Sequence, residues 1–494
     1  MSEPARSQPA THRPAAGGVP DRARPGMSEP ARADIVIRGG WLITLNPGRE
    51  IYRDGLVAVL GSKIVAVGSA AELGGQYRGD VEIVATDDVI LPGMVNGHRH
   101  ILSGARGAAP EGLVTLDVLR AFYYPSFEAL TEEDMRVYAM HHSAEMLRFG
   151  TTLYEEPGCT YLGAVLEGIA STGIRCRIGP WTWDHGGPSA STLPSSWLRM
   201  THDEAVERLK DGVDAVRAFG NPRIRDAVTI EGVGTCSDEL NVSAAMLAAE
   251  LDSLCVLHKA TSEQEVALEL KAFGHRPVEH MYRIGALNDH VFLNHMTSLD
   301  EFEVDMLAET GARVSHNPSS ALRLSKGTTQ TGKLPELLRA GVPLALGTDA
   351  ENASNFHDTV RSMYLATVLP RDARRDPAAV TVEQAVEMAT LTGAAAMRWD
   401  DELGSIEEGK QADIVIFDTD DFDWRPLHNP LTNLVYNATG HSVDTVIIGG
   451  EILVRDKELT RLDASELRAR AAEVDRRVLG RIGADPRPAW PVRP

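Results

Sequence analysis

Residues 91–100 read LPGMVNGHRH, and this stretch decides the fold. A short apolar run breaks at Pro92 and Gly93 and ends with two histidines one residue apart. Side chains alternate between the two faces of a β-strand, so His98 and His100 share one face if they continue the strand. Two neutral imidazoles on one face are half of a metal site. The alternative interpretation is a pair of surface histidines in a loop.

The chain that follows has the pattern of a parallel sheet. Apolar, strand-like runs alternate with longer amphipathic stretches, as successive βα units do. Seven such runs follow the first: GTTLYEE (150–156), RCRIGPWTW (175–183), AVTIEGVG (227–234), LCVLHK (254–259), VFLNHM (291–296), ARVSHNP (312–318) and PLALGTDA (343–350). Eight strands with polar C-terminal ends predict an α/β fold of the (β/α)8 TIM-barrel type. The alternative is a doubly wound open sheet, but no Gly-rich phosphate loop follows the first strand.

Short strands rich in β-branched residues occur at both ends of the chain and predict a second, smaller domain. We expect a small β-sandwich domain formed from both chain ends, with residues 34–90 as its N-terminal part and residues 401–460 as its C-terminal part. The barrel would occupy residues 91–400, and residues 461–494 would form a C-terminal helix and tail. Residues 1–33 are rich in Pro, Ala, Arg and Ser, which predicts a disordered tail. The hexapeptide MSEPAR occurs at residues 1 and 27, which leaves the start open between Met1 and Met27.

Composition excludes several classes of partner. The 494 residues carry a formal net charge of −21, which argues against binding to nucleic acid or to an anionic membrane surface. This acidic balance fits an enzyme with a small-molecule substrate. We also expect it to be soluble, because no apolar run is long enough to span a membrane. Four scattered cysteines without a CxxC pair are typical of a reducing cytoplasm. An amphipathic helix near residues 463–482 predicts a homo-oligomer.

Six histidine or aspartate residues end five of the predicted strands or lie just beyond them, and the carboxyl ends of barrel strands converge on one mouth. The six positions are His98, His100, His258, His295, His316 and Asp349. Any one of them could cap a helix or tie down a loop, but unrelated caps have no reason to choose imidazole. Three histidines and one aspartate leave room for water on a divalent ion such as zinc or ferrous iron. The pattern therefore predicts the metal site of an enzyme.

The sequence resembles the amidohydrolase superfamily from Asp34 to about Arg461. The branch that it resembles holds cytosine deaminases, triazine chlorohydrolases and adenosine-type deaminases. The motifs that carry the resemblance are LPGMVNGHRH, NHMTSLDE, SHNPSSALRLSKGTTQTGKLPELLRAGVPLALGTDA, LGSIEEGKQADIVIFD and NPLTNLVYNATGHSVDTVIIGG. The resemblance implies one divalent metal ion, with zinc expected first and iron, cobalt or manganese as alternatives. It implies that the metal ligands are His98, His100, His258 and Asp349.

The resemblance also implies how the remaining strand-end residues act. Asp349 would take a proton from the attacking water and deliver it to the leaving nitrogen. His295 would orient the water or polarise the substrate, and His316 would contact the substrate. The end of the fourth strand offers Glu231 and no lysine that could bridge two metals, which favours one metal.

Two positions depart from the deaminase pattern. That branch usually has a glutamate three residues after the fifth-strand histidine, where this chain has Thr261, and a Pro-His pair where this chain has Glu231 and Gly232. Threonine cannot protonate a ring nitrogen, and we expect Glu263 and Glu265 to cap the next helix instead. The absence of the glutamate and of the Pro-His pair favours a substrate in which water attacks an acyl carbon that is already polarised by oxygen or sulfur.

We therefore predict a mononuclear hydrolase that opens a C–N or C–S bond of a small amide, urea, carbamate or thiocarbamate. Phenylurea and thiocarbamate hydrolases of the same superfamily depart from the deaminase pattern too. The alternatives are a deaminase or dechlorinase of a purine, pyrimidine or triazine, and a non-catalytic scaffold. We expect Thr261, Glu231, His316 and Trp183 to contact the substrate. Aromatic residues, namely Tyr123, Tyr124, Trp181 and Trp183, could form an apolar slot, and the loop residue His185 could touch the substrate.

Overall fold

The computed structural model describes residues 29–184, 186–194, 196–197 and 200–493. Most of the predicted tail, residues 1–28, lies outside this part of the chain. The tail prediction extends too far, because the strand Ala31–Arg38 begins before residue 34 and pairs with Gly55–Leu60 and Tyr77–Val84. The structure therefore starts its first sheet three residues earlier than the sequence pattern indicates.

Two parallel sheets form the centre of an α/β fold. The four-stranded sheet has the order Ile224–Asp226, Arg175–Pro180, Thr151–Cys159, Met94–Asn96. The five-stranded sheet has the order Val228–Gly232, Cys255–Lys259, Val291–His295, Arg313–His316, Leu344–Leu346. Almost every residue of these strands is buried, as expected for parallel strands that are covered by helices. Each of the eight predicted runs overlaps one of these strands.

Helices connect and cover the parallel strands. The connecting helices are Thr115–Val118, Leu119–Tyr123, Tyr124–Glu128, Glu132–Arg148, Leu162–Thr172, Ala190–Thr192, His202–Phe219, Asp238–Glu250, Glu263–Phe273, Pro277–Arg283, Glu301–Thr310, Pro318–Arg323, Thr328–Thr331, Leu334–Arg339, Glu351–Ser354, Thr359–Arg374, Val382–Met388 and Leu391–Ala396. The helix Glu132–Arg148 illustrates how the sequence sets a boundary. Thr131 accepts from the backbone N–H of Asp134, and the Asp134 carboxylate accepts from the N–H of Thr131. This capping box fixes the start of the helix at Glu132.

Two further sheets are built from the chain ends. The four-stranded one has the order Lys63–Ser69, Gly55–Leu60, Ala31–Arg38, Tyr77–Val84. The seven-stranded one has the order Glu458–Leu459, Glu451–Arg455, Val443–Ile448, Ile414–Phe417, Val89–Pro92, Trp41–Ile43, Ile51–Tyr52. Antiparallel pairing of Ile416 with Ile90 joins the C-terminal segment to the N-terminal one. Side chains of both sheets share one apolar cluster, which includes Ile37, Val57 and Ile447.

The opening stretch LPGMVNGHRH is divided between two sheets. Val89–Pro92 belongs to the seven-stranded sheet, and Met94–Asn96 belongs to the parallel four-stranded sheet. Gly93 stands between them, where a Cβ atom would lie 2.1 Å from Oγ1 of Thr152. The glycine is therefore required by the close approach of two strands. It lets the chain pass from one sheet to the other just before the histidines.

The C-terminal helix Ala464–Ile482 packs on the helix Glu132–Arg148 of its own chain. Tyr138 donates a hydrogen bond of 2.6 Å to Oδ1 of Asp475, and Val474 and Val478 are buried. This helix therefore covers its apolar face within the chain, and the homo-oligomer stays a prediction. The short elements Ala70–Leu73, Pro430–Tyr436 and Gly440–Ser442 complete the outer layer.

All four cysteines are buried and form no disulfide. Across the described ranges, none of the helices combines the length and the apolar character needed to cross a bilayer.

Candidate metal centre and its cavity

Five of the six strand-end residues meet at one centre. Ring nitrogens of His98, His100 and His258 lie within 4.8 Å of one another, and His98, His295 and Asp349 form a second group of the same size. The Nε2 atoms of His100 and His258 are 3.0 Å apart, and Nε2 of His98 is 3.5 Å from Oδ1 of Asp349. The residues come from four different strands or the loops after them. The fold therefore brings together side chains that are far apart in the sequence.

The backbone conformation at Asp349 and His295 sets the position of these two residues in the site. The N–H of Asp349 donates to the carbonyl oxygen of His98 over 2.9 Å, which ties the end of the last parallel strand to the first. Asp349 has φ of +63° and His295 has φ of +85°, values that residues other than glycine rarely adopt. Surrounding contacts must hold such conformations, and they are common at functional sites.

Hydrogen bonding orients the imidazoles toward the centre. Nδ1 of His258 donates to the carbonyl oxygen of Glu231 over 2.7 Å, so Nε2 carries the lone pair when the ring is neutral. Burial lowers the pKa of His258 to about 3, which keeps the ring neutral. Nδ1 of His98 lies 3.5 Å from Oε2 of the buried Glu155. Carboxylates and carbonyls behind metal-binding histidines commonly play this orienting role.

The donor set fits a divalent cation. Among the described residues, both ring nitrogens of His98 and Nδ1 of His100 are buried without a hydrogen-bond partner. Burial opposes ionisation of Asp349, but its close neighbours His98, His295 and Lys326 hold the pKa of this carboxyl well below its ordinary value. Three imidazoles and one carboxylate are typical ligands of zinc and related ions. Unpaired buried nitrogens are costly, and a bound cation would give them a partner.

A small cavity of about 60 Å³ opens beside this centre. His100, His258, His295 and Asp349 line it together with a set of aromatic side chains, here called the aromatic wall, namely Tyr123, Tyr124, Phe127 and Trp181. The FYYPSF segment that carries three of these aromatic residues is helical, with a π-helical turn at Leu119–Tyr123 followed by Tyr124–Glu128. The cavity is therefore lined by both the candidate metal ligands and aromatic side chains.

Glu231 places a carboxylate in the aromatic wall. Trp181 Nε1 donates to its Oε2 over 2.5 Å, and the hydroxyl of Tyr124 donates to its Oε1 over 2.9 Å. Burial raises the pKa of Glu231 to about 7, and the two donors oppose that shift. Glu231 therefore contributes twice, since its backbone carbonyl orients His258 and its side chain faces the cavity.

Thr261 lines the cavity, with Glu265 behind it. The backbone N–H and the hydroxyl of Thr261 donate to Oε2 of Glu265 over 2.7 and 2.8 Å. Glu265 is fully buried, and Ser262 caps the helix that begins at Glu263. The Glu265 carboxylate is thus engaged by Thr261 and does not line the cavity.

Lys326 is a cavity residue that the sequence analysis misses. Its Nζ lies 3.5 Å from Nδ1 of His295 and 3.9 Å from Oδ2 of Asp349. Nδ2 of Asn317 also approaches Nδ1 of His295, at 3.2 Å. Burial lowers the pKa of Lys326, and the charge of Asp349 opposes that shift. The only sequence signal is one lysine in LRLSKGTT, a segment without strand or helix periodicity.

Two predicted substrate contacts lie elsewhere. His316 lines a separate cavity with Thr328, Pro335 and Arg374. Trp183 packs against Trp181, with ring centroids 5.3 Å apart, and donates to the carbonyl oxygen of Trp197. Thr261 and Glu231 do line the central cavity, whereas His185 lies outside the described residues.

Comparison with known proteins identifies the family context. The model of the amidohydrolase family matches residues 89–453, which is well over half of the chain. A 5-methylthioadenosine/S-adenosylhomocysteine deaminase of Nitratidesulfovibrio vulgaris is 32% identical over 458 residues, with 91% of this chain and 99% of the relative covered.

Two solved structures extend the comparison. An adenosine deaminase from Xanthomonas campestris with bound zinc has a TM-score of 0.84 and 30% identity, and the match covers 91% of this chain and all of that one. A zinc complex of an atrazine chlorohydrolase from Arthrobacter aurescens has a TM-score of 0.77 at 22% identity, with 89% of this chain and all of that chain covered. The second match shows a shared fold, and both solved proteins hold zinc.

Proposed function

This chain belongs to the amidohydrolase family, and we propose that within the family it opens a bond next to the carbonyl or thiocarbonyl carbon of a small, largely apolar substrate. The chain is a metal-dependent hydrolase that acts on carbon–nitrogen bonds other than peptide bonds, so the scaffold alternative falls away. The finer proposal is the substrate class: an amide, urea, carbamate or thiocarbamate. The observation that carries it is Thr261, which stands in the cavity wall where a deaminase of this branch would have a glutamate.

Our structural proposal is that the parallel strands close into a (β/α)8 barrel, in which Ile224–Asp226 and Val228–Gly232 are two parts of one of the eight strands, with a β-sandwich beside it. The two parallel sheets meet at both seams, where Gly97 donates to the carbonyl of Leu346 over 2.7 Å and Glu231 donates to that of Thr182 over 2.8 Å. The shared apolar cluster of the other two sheets supports the sandwich. A barrel would explain why the ligands meet at one mouth.

His98, His100, His258 and Asp349 would hold one divalent ion, with zinc as our first choice. A divalent ion bound there would supply Lewis-acid activation of water near neutral pH. The unpaired nitrogens of His98 and the ionised Asp349 support this assignment.

The chain's own residues can move the proton and stabilise charge. Asp349 accepts a proton from the attacking water as the water oxygen bonds to the acyl carbon and the carbonyl π pair moves to its oxygen. That pair returns when the C–N bond breaks, and Asp349 gives the proton to the departing nitrogen. The products are a carboxylic acid and an amine. His295, with Nε2 3.9 Å from Oδ2 of Asp349, lies where it can stabilise the developing charge.

The acyl substrate follows from what Thr261 cannot do. Deamination of a ring requires a proton on a ring nitrogen before water adds to the neighbouring carbon, and a threonine hydroxyl is too weak an acid for this. The nearby Glu265 is held by the N–H and hydroxyl of Thr261 and does not line the cavity. A carbonyl carbon is already polarised by its oxygen and needs no such proton.

Purine deamination is the second candidate. The curated relative is named a deaminase of 5-methylthioadenosine and S-adenosylhomocysteine, and the Xanthomonas structure is that of an adenosine deaminase. Glu231 offers a cavity carboxylate with a pKa of about 7, which could supply the proton that Thr261 cannot.

One assay separates the two candidates. Metal-loaded protein is incubated with anilides, phenylureas, carbamates and thiocarbamates, and separately with adenosine, 5′-deoxyadenosine and aminotriazines. We expect release of an aromatic amine or thiol from the first set and little ammonia from the second. Rapid ammonia release with no turnover of the first set would contradict the acyl proposal and establish the deaminase.

A further inference from the structure

We propose that Lys326 binds the oxygen of the attacked carbonyl group and stabilises the negative charge that develops there. This inference rests on the proposed acyl hydrolysis and names the donor that makes a carbonyl substrate preferred. It starts from a contrast between two buried lysines. Nζ of Lys259 lies 2.6 Å from Oε1 of Glu269, a close ion pair. Nζ of Lys326 has its nearest carboxylate oxygen among the described residues 3.9 Å away, on Asp349.

Lys326 is nearly as buried as Lys259, with 5% of its surface exposed. A lysine nitrogen carries up to three N–H donors, and burial without partners for them is costly. The long contacts with His295 and Asp349 leave donors that face the cavity. A polar atom of a ligand can be the partner of these N–H donors, and that atom must be a hydrogen-bond acceptor.

The position of Lys326 indicates which acceptor this is. Its amine lies beside Asp349 and His295, the residues that would handle the water and the charge. A remote polar substituent of the substrate would be recognised farther from these two groups. The acceptor closest to the reacting carbon of an amide is its carbonyl oxygen. When water adds, the π pair moves to that oxygen and the charge appears next to the lysine donors.

The interaction of Lys326 with the carbonyl oxygen becomes stronger as negative charge develops on that oxygen during the reaction. A donor aimed at developing charge in a site shielded from water stabilises the transition state more than the ground state. The charge then leaves the oxygen as the C–N bond breaks and the nitrogen departs with the proton from Asp349. No oxidant, reductant or further reactant is needed. The carboxylate product should still bind to Lys326, whereas the amine product should not.

The test compares Lys326→Met, Lys326→Arg and the control Lys333→Met in the metal-loaded full chain. Lys333 lies at the start of the helix Leu334–Arg339, outside the cavity. With an anilide that the wild type hydrolyses, we expect Lys326→Met to lower kcat about 10²–10³-fold with little change in KM, as loss of an oxyanion donor does. Lys326→Arg should recover part of the loss, and Lys333→Met should match the wild type. Metal content should be the same in all four proteins.

A binding experiment without turnover gives a second readout. Calorimetric titration with benzoate should show weaker binding to Lys326→Met than to the wild type, by roughly tenfold for a lost charged hydrogen bond. Aniline should bind both proteins equally. Unchanged kcat and unchanged benzoate affinity in Lys326→Met would overturn the inference. Equal losses for benzoate and aniline would also overturn it, because they indicate a general collapse of the cavity.

Failure of the inference is distinguishable from failure of the proposed function. If the wild type releases ammonia from purines and leaves every acyl substrate intact, the proposed function is wrong, and the inference falls with it. If the wild type hydrolyses anilides and Lys326→Met does so at the same rate, the function stands and only the role of Lys326 is wrong.

Discussion

Asp349 is joined to His98 twice. Its backbone N–H donates to the His98 carbonyl oxygen over 2.9 Å, and its carboxylate Oδ1 lies 3.5 Å from Nε2 of the same histidine. The backbone bond holds the last parallel strand against the first, and the side-chain approach places a carboxylate beside an imidazole. The geometry of the site and the joining of the two strands therefore depend on the same pair of residues.

Asn96 should be essential for this arrangement. Its Oδ1 accepts from the N–H groups of His98 and Thr348, and its Nδ2 donates to Oγ1 of Thr348 over 2.8 Å. Asn96→Ala should lower metal affinity roughly 10–100-fold, as loss of an orienting group does. The free energy of unfolding should fall by about 1–3 kcal/mol, because buried donors lose their acceptor. Competition with a chelator and denaturant titration measure the two effects.

Asn437→Ala is the matched control for Asn96, because Asn437 is exposed. It should leave both quantities unchanged. A protein with Asn96→Ala that keeps wild-type metal affinity would show that the two strands hold the ligands without this side chain.

Thr261 should determine which bond the site can open. Thr261→Glu together with Glu265→Gln restores a carboxylate at this position and removes the one behind it. We expect ammonia release from 5′-deoxyadenosine to rise roughly 10²-fold or more, the usual contribution of a general acid. Glu265→Gln alone should not release ammonia. If the double variant gains nothing, Thr261 is not what separates the chain from deaminases.

Trp181 and Trp183 should differ although both are tryptophans in one segment. Trp181→Phe removes the donor to Glu231, and kcat/KM should fall about tenfold, as expected for a hydrogen bond to a charged group. Trp183→Phe should leave kcat/KM within about twofold, since Trp183 does not line the cavity. Steady-state kinetics on one anilide test both. Equal losses would place Trp183 in the substrate site after all.

The strands and the ligand cluster could be predicted from the sequence because their signals are local and repeated. Each parallel strand is an apolar run with a polar end, and a parallel arrangement brings such ends to one edge. The pairing of the chain ends is indicated by residues 34–90 and 401–460, which both contain short strands rich in β-branched residues. His316 follows the same rule as His258 and His295, yet it lines another cavity. Position at a strand end does not tell which way the side chain points.

Other features depend on tertiary contacts that no local pattern encodes. Lys326 reaches His295 from a segment without periodicity, and Glu155 reaches His98 from a strand that the sequence shows only as apolar with an acidic end. Left-handed conformations at His295 and Asp349 are imposed by their surroundings. The aromatic FYYPSF segment was expected as a slot, and only the structure shows that its residues reach the cavity from a helix.

A buried ion pair should hold the parallel sheets to the seven-stranded sheet. Arg175 makes two hydrogen bonds, of 2.8 and 2.9 Å, to Asp413, and both side chains are 4% exposed. Asp413→Ala should lower the free energy of unfolding by about 3–5 kcal/mol, because it leaves a buried charge without its partner.

The exposed pair Arg32 and Asp80 has the same two-bond geometry and provides the control. Asp80→Ala should cost no more than about 1 kcal/mol. Denaturant titration compares the two variants. If the two variants lost similar amounts of unfolding free energy, burial of the Arg175–Asp413 pair would not make the fold more dependent on Asp413.

Metal stoichiometry tests the central claim most directly. Elemental analysis of purified protein, after exchange into metal-free buffer, should give one divalent ion per chain, with zinc expected. His98→Ala and His258→Ala should each lose the ion, while His316→Ala should retain it, because His316 lines a different cavity. One ion per chain that persists in both His98→Ala and His258→Ala would contradict the account, since the ion would then be held elsewhere.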